Sequence, residues 1–323
     1  MSTNARVALL GFLVMLLVAM WVFAFLSKRF EKVASGVAAL PPAEFERFTL
    51  VTLGSGGTFE NQLRRGPALA VGLGADLVLI DAGRGVSEAL RFASIPLEQP
   101  RQLLLTSLAI ENVLGLDELW LTGWLRGRDT ALAVYGPPGA KALVDGIARA
   151  YAAQAELQAE TWALPEAGGR IEVLELGAGA SFAVGALTVH AEPLAGGAQP
   201  ALAWRVEGAG RSVVVAIGSA SPDALAGAAR GADFFVTEAV YGASLDRARE
   251  AGMQGLDVLM REAETHPKLE SIGALAARAG VKSVVLTRLR PPPPFDWQYE
   301  DVIEAGGFRG PVYVAEDGDR LTP

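Results

Sequence analysis

Residues Leu103 to Arg128 read LLLTSLAIENVLGLDELWLTGWLRGR, and this stretch decides the fold. It opens on a short apolar run, Leu103 to Thr106, with the length and composition of a buried strand. After a polar break, apolar residues recur at helical spacing from Asn112 to Leu125. Trp120 and Trp124 lie four apart and share one face of that helix, as core or as an oligomer contact. Just upstream, Val78 to Gly85 (VLIDAGRG) is a second strand ending on Asp81, which is read as the structural residue of a turn made possible by Gly83 and Gly85.

Outward from these two blocks, further strands are expected at Phe48 to Leu53, Ala68 to Val71, Ala131 to Tyr135, Ile171 to Leu174, Leu187 to Glu192, Ala201 to Val206, Ser212 to Ala216, Phe234 to Val236 and Val284 to Thr287. Helical patterns occupy Val86 to Phe92, Ala140 to Ala155, Pro222 to Ala229 and Ile272 to Ala279. Strands cluster ahead of helices, a mixed α/β order rather than the strict alternation of a doubly wound sheet. No internal repeat of solenoid or propeller length is present, so residues 48–323 form one domain.

The 323 residues include 28 Lys+Arg, 36 Asp+Glu, two His and no Cys, for a net charge of −8. That composition excludes zinc fingers, iron–sulfur clusters, thiol nucleophiles and any multi-histidine metal site built from this chain alone. The acidic balance and the absence of a basic run argue against nucleic acid as a partner. At the N-terminus, Val7 to Leu26 holds no charge and no proline, and twenty apolar residues span about 30 Å of hydrocarbon. The run passes directly into Ser27-Lys28-Arg29, unlike the small-residue end of a cleaved signal. Residues 1–29 are therefore read as a single-pass membrane anchor and 30–47 as a spacer, stopped by Pro41-Pro42. The domain beyond is placed outside the cytoplasm, with the cytoplasmic face as the alternative, since Lys28, Arg29 and Lys32 outnumber Arg6 across the span.

Leu53 to Thr58 (LGSGGT) imitates a dinucleotide-binding turn, but the third glycine of that pattern falls on Phe59 and no helix follows. A glycine turn between strands is the better reading. Taken together, LGSGGT, VLIDAGRG, LLLTSLAIENVLGLDELWLTGWLRGR, VYGPPGAKALVDGIARAY from Val134, then RSVVVAIGSASPDALAGAARGADFFVTEA and HPKLESIGALAARAGVKSVVLTRLRP, resemble the metallo-β-lactamase superfamily, in its ribonuclease Z and arylsulfatase-like branch. The resemblance covers nearly everything after the spacer and implies a four-layered αββα sandwich.

It also implies a dinuclear metal centre, whose ligand positions fall here on Ser107, Ala109, Glu111 and Asn112, near Ala195 or Gly196, on Ser219 and on Arg288. Serine, alanine and asparagine make a poor cage, and a guanidinium at 288 repels cations. Arg288 is expected to pair with Glu111. No metal and no cofactor is expected. Two polar residues match positions the branch uses beside its metals: Glu238, in VTEA, and His266, heading HPKLESIG. A carboxylate against an imidazole suits acid/base work; the alternative is a pair that caps the helix near Pro267. His190 is read as a strand-face histidine, and Arg288, Arg290 and Pro291 to Pro294 as a stiff edge.

Two functions stand at this point. One is a membrane-anchored, non-catalytic binding or scaffolding homologue, pairing as a homodimer or with an active relative. The alternative is a hydrolase of phosphoesters or sulfate esters, working through Glu238 and His266 or through an atypical metal.

Overall fold

The computed structural model describes residues 3–58, 62–177, 179–197, 199–292 and 295–323. It divides into two units, Met1–Pro41 and Pro42–Pro323. The first is essentially one helix, α1 (Thr3–Val37). Within it Leu9–Glu31, 23 residues of mean hydropathy 2.8, is long and apolar enough to cross a bilayer by length and composition. The helix continues beyond Arg29 to Val37, because nothing between them breaks it ahead of Pro41. The first strand already begins at Phe45, so the connecting segment is shorter at both ends than the expected 30–47.

The second unit holds two seven-stranded sheets. The first runs in the order β14 (Arg320–Leu321), β1 (Phe45–Gly54), β2 (Ala68–Gly74), β3 (Asp76–Ile80), β4 (Gln102–Leu104), β5 (Leu132–Gly136) and β6 (Ile171–Glu175). The second runs β13 (Val312–Val314), β12 (Ser283–Arg290), β11 (Phe234–Val240), β10 (Arg211–Val215), β9 (Leu202–Gly208), β8 (Leu187–Pro193) and β7 (Ser181–Val184). Each mixes antiparallel pairs (β1 with β2, β8 with β9) and parallel ones (β3 with β4, β11 with β12). The helices are α2 (Val86–Phe92), α3 (Ile110–Val113), α4 (Leu116–Leu125), α5 (Ala140–Trp162), α6 (Pro222–Ala229), α7 (Gly242–Glu250), α8 (Asp257–Thr265), α9 (Leu269–Ala279) and α10 (Trp297–Ala305).

Three apolar layers explain the four-layer stack. Leu50, Val78, Ile80 and Leu104 of the first sheet meet Val189, Trp204, Val213, Val215 and Val285 of the second. Their strand neighbours point the other way: Val51, Leu79 and Leu103 pack under α2, α4 and α5 through Leu90, Leu119, Trp120 and Val144. Val214, Phe235, Val284 and Leu286 likewise pack under α6, α9 and α10 through Leu225, Ile272, Leu275 and Ile303. A strand buried on both faces must be apolar at every position, which is why these segments read as continuous runs. The αββα sandwich is the observed fold.

Sequence pattern missed β7, β13 and β14, which are short, and α7, α8 and α10, whose apolar faces are thin. The expected helix at Asn112–Leu125 is broken into α3 and α4 at Gly115. There the Gly115 N–H donates to the Ala82 carbonyl (2.8 Å), while a Cβ on Gly115 would collide with the Gly83 carbonyl. The interruption lets the chain dock on the Asp81 turn, and the Ala82 N–H reaches back to the Asn112 carbonyl (2.8 Å). Trp120 and Trp124 are buried, with indole N–H groups donating to the carbonyls of Gly169 and Pro165, so they belong to the core.

Candidate functional site

Parallel strands end together, and in both sheets the polar residues stand where they do. β3 ends and the chain turns at Asp81; β4 gives way to Thr106 and Ser107; β11 carries Glu238 and β12 carries Arg288 and Arg290. Asp81 and Arg288 both adopt left-handed backbone (φ 61° and 50°), a conformation that side chains other than Gly and Asn/Asp rarely take. These two strained residues meet. Arg288 Nη2 donates to Asp81 Oδ2 at 2.5 Å and Nη1 to Asn112 Oδ1 at 2.7 Å.

A closed ring of hydrogen bonds completes the contact. Asn112 Nδ2 donates to Thr106 Oγ1 (3.1 Å), Thr106 Oγ1 donates to Asp81 Oδ2 (2.7 Å), and the Thr106 N–H donates to Asp81 Oδ1 (2.8 Å). Burial pushes the Asp81 carboxyl up, against the pull of Arg288 and of the two Thr106 donors. Asn112 Nδ2 also donates to Ser107 Oγ at 2.8 Å.

A second buried ion pair lies beside the first. Arg290 Nη1 donates to Glu238 Oε2 (2.6 Å) and to the Arg288 carbonyl (3.1 Å), and Nη2 donates to Thr58 Oγ1 (3.2 Å). The other Glu238 oxygen accepts the Gly218 N–H at 2.6 Å and lies 3.9 Å from His266 Nε2. Burial opposes ionisation of Glu238, but the charges of Arg290, His266 and Arg288 outweigh it and hold the carboxyl below the usual range. The LGSGGT turn closes over this pair: a Cβ on Gly57 would lie 3.7 Å from the Arg290 guanidinium, and Thr58 Oγ1 donates to Glu111 Oε1 at 3.3 Å.

A cavity of about 200 Å³ opens on these groups, lined by Ser107, Glu111, Asn112, Ser219, Glu238, His266 and Arg288 among others. The expected ligand positions Ser107, Ala109, Glu111, Asn112, Ser219 and Arg288 thus converge with Glu238 and His266. Ala195 and Gly196 stand just behind, where the Ser221 N–H bonds the Ala195 carbonyl. His190 does not converge; it sits on β8 against Glu207 of β9, 3.6 Å away.

One expectation is corrected. Arg288 does not pair with Glu111 but with Asp81, because Asp81 is the fully buried carboxylate and Glu111 is half-exposed at the start of α3. His266 follows the last residue of α8, and the next helix, α9, begins at Leu269. The sequence reading missed Arg290 as the partner of Glu238. Its signal was present, since Arg288 and Arg290 are two apart on a strand and so share a face, and buried guanidiniums require acid partners.

Two curated relatives are named ribonuclease Z: that of Mycobacterium bovis (strain BCG / Pasteur 1173P2) is 26% identical over 278 residues, covering 84% of this chain and 97% of its own. That of Mycobacterium sp. (strain KMS) is 29% identical over 246 residues, covering 74% and 83%. Among solved structures, human tRNase Z, short form, superposes with a TM-score of 0.61 at 20% identity over 85% of this chain and 98% of its own. The chain has the metallo-β-lactamase fold and is similar in sequence to members of the ribonuclease Z branch. The metallo-β-lactamase fold protein YhfI of Bacillus subtilis matches equally well, with a TM-score of 0.61 at 16% identity over 85% and 99%. No family profile matches the chain.

A dinuclear centre of this superfamily needs free carboxylate and imidazole donors. Among the described residues no group of three or more His, Asp or Glu could hold a metal ion. Asp81 and Glu238 already accept from guanidiniums and backbone N–H groups, and Asn112 Oδ1 accepts from Arg288. Glu111, His266, Gln199, Ser107 and Ser219 also line the cavity, and the Arg288 Nε beside them is a buried donor without a partner among the described residues.

Proposed function

We propose that this chain is a membrane-anchored metallo-β-lactamase-fold protein whose site is held together by arginines instead of metal ions, and that it serves as a binding or scaffolding member of its branch. The observation that carries this reading is the Arg288 guanidinium, 97% buried and bonded to Asp81 and Asn112. A divalent cation there would face a fixed positive charge and carboxylates already spent, so the residues present do not fit the two-ion cage. The domain is exported, α1 remains as its anchor, and its partner is a second copy or an active relative. Its acidic balance disfavours nucleic acid.

A second reading has its own support: the curated relatives are named ribonuclease Z, and Glu238 and His266 share one cavity with two serines. In it, Glu238 orients the imidazole and His266 moves a proton during hydrolysis of a phosphoester or sulfate ester. Metal analysis of the purified full chain, with an esterase, phosphodiesterase and sulfatase panel, separates the two. The first reading expects a metal-free, inert protein. Stoichiometric zinc or manganese defeats it, and so does turnover that His266→Ala abolishes.

A further inference from the structure

One segment of the second unit is held far more thinly than the rest. β11 ends at Val240, and the chain then makes an excursion of two helices, α7 and α8, before α9 begins at Leu269. The excursion leaves and returns at one point: the Val240 N–H donates to the Pro267 carbonyl at 2.8 Å, and Val240 pairs with Lys268 in a parallel bridge. The Tyr241 N–H is fixed as well, donating to the Arg290 carbonyl at 3.1 Å. Both ends are thus clamped to β11 and β12, so what lies between them can move without disturbing either sheet.

Between the clamps, Leu245 and Ala263 are the only buried side chains among the described residues. They form a small cluster with Val240 and Leu259. By contrast, α9 alone buries Leu269, Ile272, Leu275, Ala276 and Ala279 in the layer over the second sheet. The turn joining α7 to α8 holds Gly252 and Gly255 in left-handed backbone (φ 75° and 79°), and Met253 within it and Val258 beyond it are more than half exposed. Few buried apolar groups under helices open to solvent place a segment at the low end of local stability.

His266 stands where this excursion ends. It follows the last residue of α8 and lines the cavity, and its Nε2 lies 3.9 Å from Glu238 Oε1. Glu238 is held separately, by Arg290 and the Gly218 N–H. We infer that residues 242–265 form a hinged arm that opens as one unit while both sheets stay folded, and that its docking seats His266 as a movable wall of the cavity. Undocking the arm releases His266 and leaves the two buried ion pairs intact. With the arm docked the cavity is about 200 Å³, below the roughly 300 Å³ at which drug-sized pockets begin, so opening is the route by which anything larger reaches Glu111 and Glu238. The arm serves the binding reading and the hydrolytic one alike.

Hydrogen exchange of the full chain in detergent, followed by mass spectrometry at neutral pH, tests the arm. Amides bonded within α7 and α8 are expected to exchange about a hundredfold or more faster than those of α9, and with one common protection, since they open together. Leu245→Ala removes the larger of the two buried anchors. It is expected to speed exchange in α7 and α8 by the same factor, about tenfold or more, with α9, both sheets and the melting temperature unchanged. The chain has two histidines, so ¹³C-labelled imidazole signals report the wall directly: Leu245→Ala is expected to shift the His266 signal and leave that of His190 in place. Exchange in α7 and α8 as slow as in α9 of the parent overturns the arm. So does a Leu245→Ala effect confined to α7 or spread over the whole domain, and a His266 signal that stays put while the arm exchanges faster overturns the movable wall.

Discussion

Replacing Arg288 by Met keeps most of the apolar stem and removes the charge. Asp81 is then a carboxylate of zero exposure with only the two Thr106 donors left. Breaking a buried pair from one side costs about 3–5 kcal/mol, because the remaining charge is uncompensated. At roughly 2 °C per kcal/mol for a domain of this size, the melting temperature falls by about 6–10 °C. The double variant Asp81→Asn with Arg288→Met keeps a hydrogen-bonding partner for Thr106 without the buried charge, and recovers most of the loss. Acidity supplies an independent check. With Arg288 gone, burial raises the Asp81 carboxyl against the two Thr106 donors alone, so the folded-state value lies further above the unfolded one. The resulting destabilisation is absent below the unfolded value and grows as pH rises through the folded one, so Arg288→Met approaches the parent as pH falls. Thermal unfolding of the full chain in detergent, followed by far-UV circular dichroism at several pH values, measures all of this. An Arg288→Met protein that melts within about 1 °C of the parent at neutral pH refutes the claim that this guanidinium holds the site.

The second ion pair and the anchor give further tests. Glu238 has its carboxyl held below the usual range, so its contribution is complete above about pH 4.5, the unfolded value, and is lost as pH falls through the folded one. Glu238→Gln should lower the urea midpoint at neutral pH and flatten its decline in acid; a variant that loses stability in acid as steeply as the parent contradicts the assignment. Deleting residues 1–37 should move the protein from the membrane fraction to the soluble one, while the full chain resists alkaline extraction; a mature chain that begins after the helix identifies a cleaved signal instead.

The elements that the sequence exposed are those whose burial leaves a one-dimensional trace. β10 is buried on both faces and reads RSVVV; α9 buries Leu269, Ile272, Gly273 and Ala276 and carries helical spacing. Short edge strands such as β14, at two residues, leave no such trace because one neighbour and a turn suffice to form them. The helix break at Gly115 was invisible for a similar reason: its cause is the Gly83 carbonyl, 32 residues away in the chain.

For the site, the sequence alone determined which residue types stand at the ends of β3, β4, β11 and β12. Through the family resemblance it thereby raised the expectation that serine, asparagine and arginine stand where a metal cage would need histidine and aspartate. Residue identity is enough for that, since donor chemistry belongs to the side chain. Only the tertiary structure decided who pairs with whom. Arg288 had Asp81 and Glu111 within chemical reason, and the choice fell to Asp81 because the sandwich leaves that carboxylate no exposure to water while Glu111 retains some. An ion pair forms where desolvation makes it necessary, and desolvation is a property of the packed fold, not of the chain.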